Sequence, residues 1–233
     1  MEKVLIIIPA YNEEKNIKKT IESLKKINVD YVVINDGSLD NTLEVLNKMN
    51  ANYINLPFNM GIGCAVQTGY KYAFLKNYDI AIQYDGDGQH NSSYIKNLVK
   101  KINEGHDMVI GSRYMEKKGF QSSFMRRIGI RWIKFITKIL IGRTTTDPTS
   151  GFRACNRKVI EFFAENYPYD YPESETYVIA SLLGFDIVDI PVLMNERKEG
   201  KSSISGLKSV YFMIKVTISL IFDRIIYGRR KSK

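Results

Sequence analysis

Four times in the first half of the chain a short apolar run gives way to an amphipathic stretch, and this alternation limits the fold more than any other feature of the sequence. The runs Val4 to Ile8, Tyr31 to Ile34, Tyr53 to Leu56 and Ile80 to Tyr84 read as buried strands. Between them, Ile17, Ile21 and Leu24, then Thr42 to Met49, then about Gly63 to Leu75 read as helices. Ile95, Leu98, Val99 and Ile102 mark one more, before a fifth run at Met108 to Ile110. Strands alternating with helices predict an α/β fold with a mostly parallel sheet covered on both faces, and ligands outside the carboxyl ends of the strands. No internal repeat, low-complexity tract or Pro/Gly-rich linker divides the 233 residues.

The polar clusters fall where that topology puts ligands. Pro9 to Glu14 follow the first run, Asn35 to Asp40 the second and Asp85 to His90 the fourth, so the three loops are expected to share one rim. Asp85-Gly86-Asp87 places two carboxylates on a turn whose glycines allow tight folding. Such oxygens suit Mg²⁺ or Mn²⁺, which takes one or two protein carboxylates and shares its other positions between water and substrate phosphates. A solvated Asp-Gly turn would be written in the same letters. Asp36-Gly37-Ser38 offers a carboxylate to a base or ribose, or simply caps the next helix. Gly61-Ile62-Gly63 opens like a dinucleotide fingerprint, but Val66 stands where the third glycine belongs and the first loop has none, which disfavours a Rossmann dehydrogenase.

Charge is unevenly placed. Of the net +9, residues 113–143 carry nine bases against one acid, and residues 197–233 carry ten against two, so the remaining body is acidic. Both basic segments are also strongly apolar, which fits an anionic membrane surface better than a nucleic-acid groove. Cys64 and Cys155 make no disulfide framework and two histidines make no zinc cluster, so a reducing compartment is expected. Five apolar residues before Pro9 are too few for a signal peptide.

Taken together, Pro9-Ala10-Tyr11-Asn12-Glu13, Asp36-Gly37-Ser38, Asn59-Met60-Gly61-Ile62-Gly63, Asp85-Gly86-Asp87-Gly88-Gln89-His90, Gly111-Ser112-Arg113 and the run from Asp147 to Arg153 resemble family 2 glycosyltransferases of GT-A fold. The likeness covers about residues 3–200. It is strongest to the branch that includes dolichol-phosphate mannosyltransferase and bacterial polyprenyl-phosphate glycosyltransferases.

The resemblance implies an inverting, metal-dependent hexosyltransferase that moves a sugar from a UDP- or GDP-sugar to a polyprenyl phosphate. By it, Pro9, Tyr11, Glu13, Asp36 and Gly61 hold the donor nucleotide, and Asp85, Asp87 and Gln89 hold Mg²⁺ or Mn²⁺ against the diphosphate. Arg197 and Lys201, in a stretch similar to the family's Arg-x-x-Gly-x-Ser, close over the donor phosphates. Asp147 and Glu173 join Asp87 as catalytic candidates, either as a base or as acceptor positioners. Arg113, Ser150 and Arg153 are the acceptor-binding candidates, the arginines through phosphate oxygens. Each arginine would equally serve by pairing with a nearby acid, and Glu173 with Glu175 would equally serve a helix dipole. Two rivals stand beside this reading: a transferase acting on a sugar hydroxyl, which requires a true base, and a non-catalytic basic protein that binds membranes or RNA.

In Met125 to Gly142, Arg127, Arg131, Lys134 and Lys138 recur on one helical face, as in an interfacial helix. Leu207 to Tyr227 is apolar, yet Lys208, Lys215, Asp223 and Arg224 interrupt any uncharged run of the ~20 residues a bilayer demands. The expected layout is a catalytic domain at 1–206, with a basic amphipathic insertion near 115–143, and an amphipathic helix with a basic tail at 207–233. The enzyme would then sit in the cytoplasm on the cytosolic face of a membrane, alone, in a homo-oligomer or with a separate membrane subunit.

Overall fold

β1 (Val4–Ala10) is apolar on both faces because both faces are covered. Leu5 and Ile7 point into one core and Ile6 and Ile8 into the other, all four without solvent exposure. Burial of each such side chain contributes about 1.5–3 kcal/mol. The computed structural model describes residues 2–116, 124–195 and 207–228.

The chain continues through α1 (Ile17–Lys25), β2 (Asp30–Asn35), α2 (Thr42–Lys48), β3 (Tyr53–Asn55), α3 (Ile62–Leu75), β4 (Ile80–Gln83), α4 (Ile95–Asn103) and β5 (Met108–Ser112). It then adds α5 (Phe124–Ile141), β6 (Arg153–Asn156), α6 (Arg157–Glu165), α7 (Pro172–Leu182), β7 (Ile187–Pro191) and α8 (Leu207–Gly228). The seven strands form one sheet in the order β3-β2-β1-β4-β6-β5-β7. β6 runs antiparallel to both β4 and β5, and every other pairing is parallel. Six strands therefore end on one rim, and β6 begins there.

Helices α1, α2 and α4 cover the face holding Ile6, Ile8 and Val33 through Ile17, Ile21, Leu24, Leu46 and Leu98. On the opposite face Val66, Tyr70, Phe163 and Val178 pack under α3, α6 and α7, and α8 adds Val216 and Leu220 to the same core. The α/β expectation holds, with helices on both faces of a sheet in which six strands share one direction.

The two basic helices differ from their expected form. α5 buries Ile130, Ile133 and Thr137 and exposes Ile128, Trp132, Phe135 and Ile139 beside Arg127, Arg131 and Lys138. Lys134 does not join that basic face: its Nζ donates to the Thr146 carbonyl at 3.1 Å. α8 is apolar on two sides rather than one. Val216 and Leu220 face the core, while Tyr211, Ile214, Ile218, Ile221, Phe222, Ile225 and Ile226 face outward. Trp132 of α5 donates to Thr217 of α8 at 2.9 Å, joining the two exposed apolar surfaces. Among the described residues, no helix is long and apolar enough to cross a membrane.

Candidate active site

The rim holds a cavity of about 340 Å³ built from the end of β1 and the segments that follow the first four strands. Pro9, Tyr11 and Glu13 come from the first, Asp36 from the second, Gly61 from the third, and Asp85 and Asp87 from the fourth. Of the expected donor residues, all but Arg197 and Lys201 line this one space; those two lie outside the described residues.

Hydrogen bonds lock the first two loops together. Asn12 N–H donates to Ser38 Oγ at 3.0 Å, Glu13 N–H to Thr42 Oγ1 at 2.9 Å, and Leu39 N–H to Asn12 Oδ1 at 2.8 Å. Asp36, 3% exposed, accepts from the backbone of Met60 at 2.7 Å and of Gly61 at 3.0 Å, which draws the start of α3 against the cavity. The turn at Gly37 passes so close to the third loop that a Cβ there would lie 2.4 Å from the Phe58 carbonyl carbon, and its φ is +61°. Only glycine meets both demands. Tyr11 remains 42% exposed, an aromatic face open at the mouth.

Asp85 is braced from behind. Tyr167 donates to Gln83 Oε1 at 3.3 Å, and Gln83 Nε2 donates to Asp85 Oδ1 at 3.3 Å. His90 Nε2 stands 3.1 Å from Asp85 Oδ2, with its ring held between Tyr84 and Phe152 at centroid distances of 5.2 and 4.8 Å. Burial pushes the Asp85 pKa up, but His90, the Gln83 amide and the Arg113 charge together hold it below the usual carboxylate range. Gly151 passes directly over this carboxylate: a Cβ there would meet both of its oxygens at 3.0 Å.

Two carboxylates at one cavity are a donor set that fits a hard divalent ion completed by phosphates and water. Among the described residues, no group of three or more His, Cys, Asp or Glu side chains is arranged to hold a metal ion without such help. Gln89 is not brought to the cavity. Its N–H donates to Asp87 Oδ1 at 3.0 Å, and its side chain reaches the Asn195 carbonyl at 3.5 Å, because the turn at Gly88 directs it toward the strand-end segment after β7.

The acceptor-side candidates are likewise turned inward. Asp147, with no solvent exposure, takes Arg113 Nε on Oδ2 at 2.6 Å and Arg113 Nη2 on Oδ1 at 2.7 Å. Burial alone would raise the Asp147 pKa, but the hydrogen bonds and charge of Arg113 hold it below the usual range. Ser150 Oγ donates to the Gly111 carbonyl at 2.6 Å. Arg153, 2% exposed, donates through Nε to the Ser150 carbonyl at 2.7 Å and through Nη1 to Thr176 Oγ1 at 2.5 Å. None of Asp147, Arg113, Ser150 or Arg153 lines the cavity. Most of their polar atoms satisfy the tightly folded chain between β5 and β6, while Arg153 Nη2 is buried with no hydrogen-bond partner among the described residues. Glu173 sits partly exposed in the first turn of α7, near enough to Tyr167 that burial and then its charge raise that phenol's pKa.

The sequence reading passed over Gln83, Tyr167, the bracing role of His90 and the steric demand at Gly151. Gln83 alone left a signal, as the polar end of an apolar run.

Comparison with known proteins gives the same grouping. An uncharacterised protein of Methanocaldococcus jannaschii is 33% identical over 222 residues, covering 91% of both chains. The UDP-N-acetylglucosamine–dolichyl-phosphate N-acetylglucosaminyltransferase of Methanococcus voltae is 31% identical over 94% of this chain and 98% of its own length. The fold matches that of glucosyl-3-phosphoglycerate synthase from Mycobacterium tuberculosis, crystallised with Mn²⁺, UDP and glucosyl-3-phosphoglycerate. The TM-score is 0.72, at 18% identity over 96% of this chain and 80% of that one. The sequence profile described as Glycosyl transferase family 2 spans residues 5–163, which takes in the cavity and its carboxylates, and the chain belongs to that family.

Proposed function

We propose that the protein transfers a sugar from a nucleotide-sugar to a polyprenyl phosphate at an anionic membrane surface. The observation that carries this reading is the convergence of Pro9, Tyr11, Glu13, Asp36, Gly61, Asp85 and Asp87 on one cavity large enough for part of a nucleoside diphosphate. Tyr11 gives the base or ribose an aromatic face, and Asp36 holds the wall around it. Asp85 and Asp87 would hold Mg²⁺ or Mn²⁺, which when bound neutralises charge on the departing diphosphate. Gln83, Tyr167, His90 and Arg113 keep the Asp85 carboxylate ionised and aimed at that position.

The state of Asp147 supports the choice of acceptor. Asp147 is closed into an ion pair and kept anionic, so it is a poor proton acceptor; its part is to hold Arg113 and the loop in place. A phosphate acceptor needs no proton removed, because its oxygen is already anionic at neutral pH. Of the two acceptor-side carboxylates, Asp147 and Glu173, a sugar hydroxyl would leave the task to Glu173. The relative from Methanococcus voltae, named for a dolichyl-phosphate acceptor, supports the same choice. The apolar faces of α5 and α8, flanked by Arg127, Arg131, Lys138, Lys215 and Arg224, suit attachment to anionic lipid on the cytosolic side.

The test is incubation with labelled UDP- and GDP-sugars and a divalent ion, with either polyprenyl phosphate or soluble sugars as acceptor. Labelled lipid is expected only in the first case. Product on soluble sugars with none on the lipid would overturn the acceptor assignment.

A further inference from the structure

A second cavity, of about 370 Å³, opens where the turn between α6 and α7 meets α8, and it shares no residue with the first. Four carboxylates line it, those of Glu165, Asp170, Glu175 and Asp223, and no lysine, arginine or histidine does. Glu165 and Asp170 are exposed, while Glu175 and Asp223 are 6% and 7% exposed. Glu175 is fully engaged: Oε1 accepts from Tyr171 N–H at 3.0 Å and Oε2 from Ser219 Oγ at 2.6 Å. Asp223 lies one helical turn beyond Ser219, and its buried Oδ2 has no hydrogen-bond partner among the described residues. A buried carboxylate oxygen without a partner marks a missing donor, since nearly all buried polar atoms in folded proteins are paired. Burial and the neighbouring Glu175 push the Asp223 pKa up to about 8, the direction expected where a counter-charge is wanting.

The missing donor is not a bare metal ion. No group of three or more His, Cys, Asp or Glu side chains among the described residues is arranged to hold one, and the space is far larger than an ion. The remaining walls include Tyr167, Tyr169 and Ile179, aromatic and aliphatic surface that suits methylene groups and an adjacent ammonium. We propose that this cavity binds an alkyl ammonium group, its head on Asp223 and its stem along the tyrosines, as presented by a free linear diamine or by a lysine side chain. In the diamine the second ammonium meets Glu165 and Asp170 at the rim.

The probes are 1,4-diaminobutane and Nα-acetyl-lysine methylamide, titrated calorimetrically into the full chain at pH 8 and constant ionic strength, with tetramethylammonium as control. Saturable binding of either primary ammonium is expected, weakened at least tenfold by Asp223→Asn, with nucleotide binding at the first cavity unchanged. Binding of the diamine alone identifies a free amine as the source, and binding of the lysine derivative a polypeptide. The proposal is overturned if neither probe binds saturably, if tetramethylammonium binds equally, or if Asp223→Asn and Glu175→Gln both bind as the wild type does.

Discussion

Arg113 and Asp147 meet at two points, Nε to Oδ2 at 2.6 Å and Nη2 to Oδ1 at 2.7 Å, with Asp147 wholly out of solvent. Removing one partner strands the other charge, so Asp147→Ala is expected to destabilise the fold by about 3–5 kcal/mol in denaturant melts. The folded-state pKa of Asp147 lies below its unfolded value, so the pair stabilises the fold above the unfolded pKa. That contribution is lost as pH falls through the folded one. Asp147→Asn should flatten the acid limb of the stability curve below about pH 4; an unchanged limb would show that other carboxylates set it.

Asp87→Ala should lower sugar transfer by roughly 10²–10³-fold while leaving the melting temperature nearly unaltered, because the side chain serves charge stabilisation at the cavity. Full metal-dependent activity in this variant would remove Asp87 from the site.

Gly151→Ala tests the bracing of Asp85. Its Cβ would lie 3.0 Å from both carboxylate oxygens and 2.8 Å from Gln83 Nε2, forcing the carboxylate from its place. A kcat loss of about tenfold or more is expected, out of proportion to any change in melting temperature. Equal activity would mean that the carboxylate tolerates displacement.

Asp223 carries the opposite linkage. Its pKa is raised to about 8, so the folded state holds a proton that the unfolded state has released. Stability should therefore fall as pH rises from about 4 toward 8, with a slope of up to ~1.4 kcal/mol per pH unit. Asp223→Asn should abolish that portion of the slope and be the more stable protein at pH 8. Urea melts at pH 5 and 8 decide it.

Charge reversal of Arg127 and Arg131 together should weaken binding to anionic vesicles by roughly an order of magnitude, measured by co-sedimentation. Replacing the outward Ile218 and Phe222 by serine should weaken binding to neutral vesicles as well. Unchanged binding in both variants would dismiss α5 and α8 as the docking surface.

The first half of the fold was legible because its strands are buried on both faces and announce themselves as apolar runs: Leu5 to Ile8 and Val32 to Ile34 could be little else. β6 was not legible. Arg153-Ala154-Cys155-Asn156 is short and half polar, and only pairing with β4 and β5 makes it a strand. The donor side of the site was readable for the same reason, since its residues follow strands directly. That the acceptor candidates stand apart from the cavity lining was not readable, because a motif records which residues recur together, not what each side chain faces. Arg113 and Asp147 face each other, Ser150 Oγ meets the Gly111 carbonyl, and Arg153 meets the Ser150 carbonyl and Thr176.

The reversal of β6 has a consequence for how such a protein can diversify. Gly111 N–H bonds the Phe152 carbonyl at 2.8 Å, so the excursion from Arg113 to Phe152, which includes α5, leaves and re-enters the sheet at neighbouring points. Its two feet are clamped, and α5 is tied down between them by the burial of Ile133, the Lys134 bond to the Thr146 carbonyl and the Trp132 bond to Thr217. A change of length within the excursion can therefore leave the strand register intact, whereas a change near its return meets the nucleotide side of the rim, because Gly151 passes over the Asp85 carboxylate.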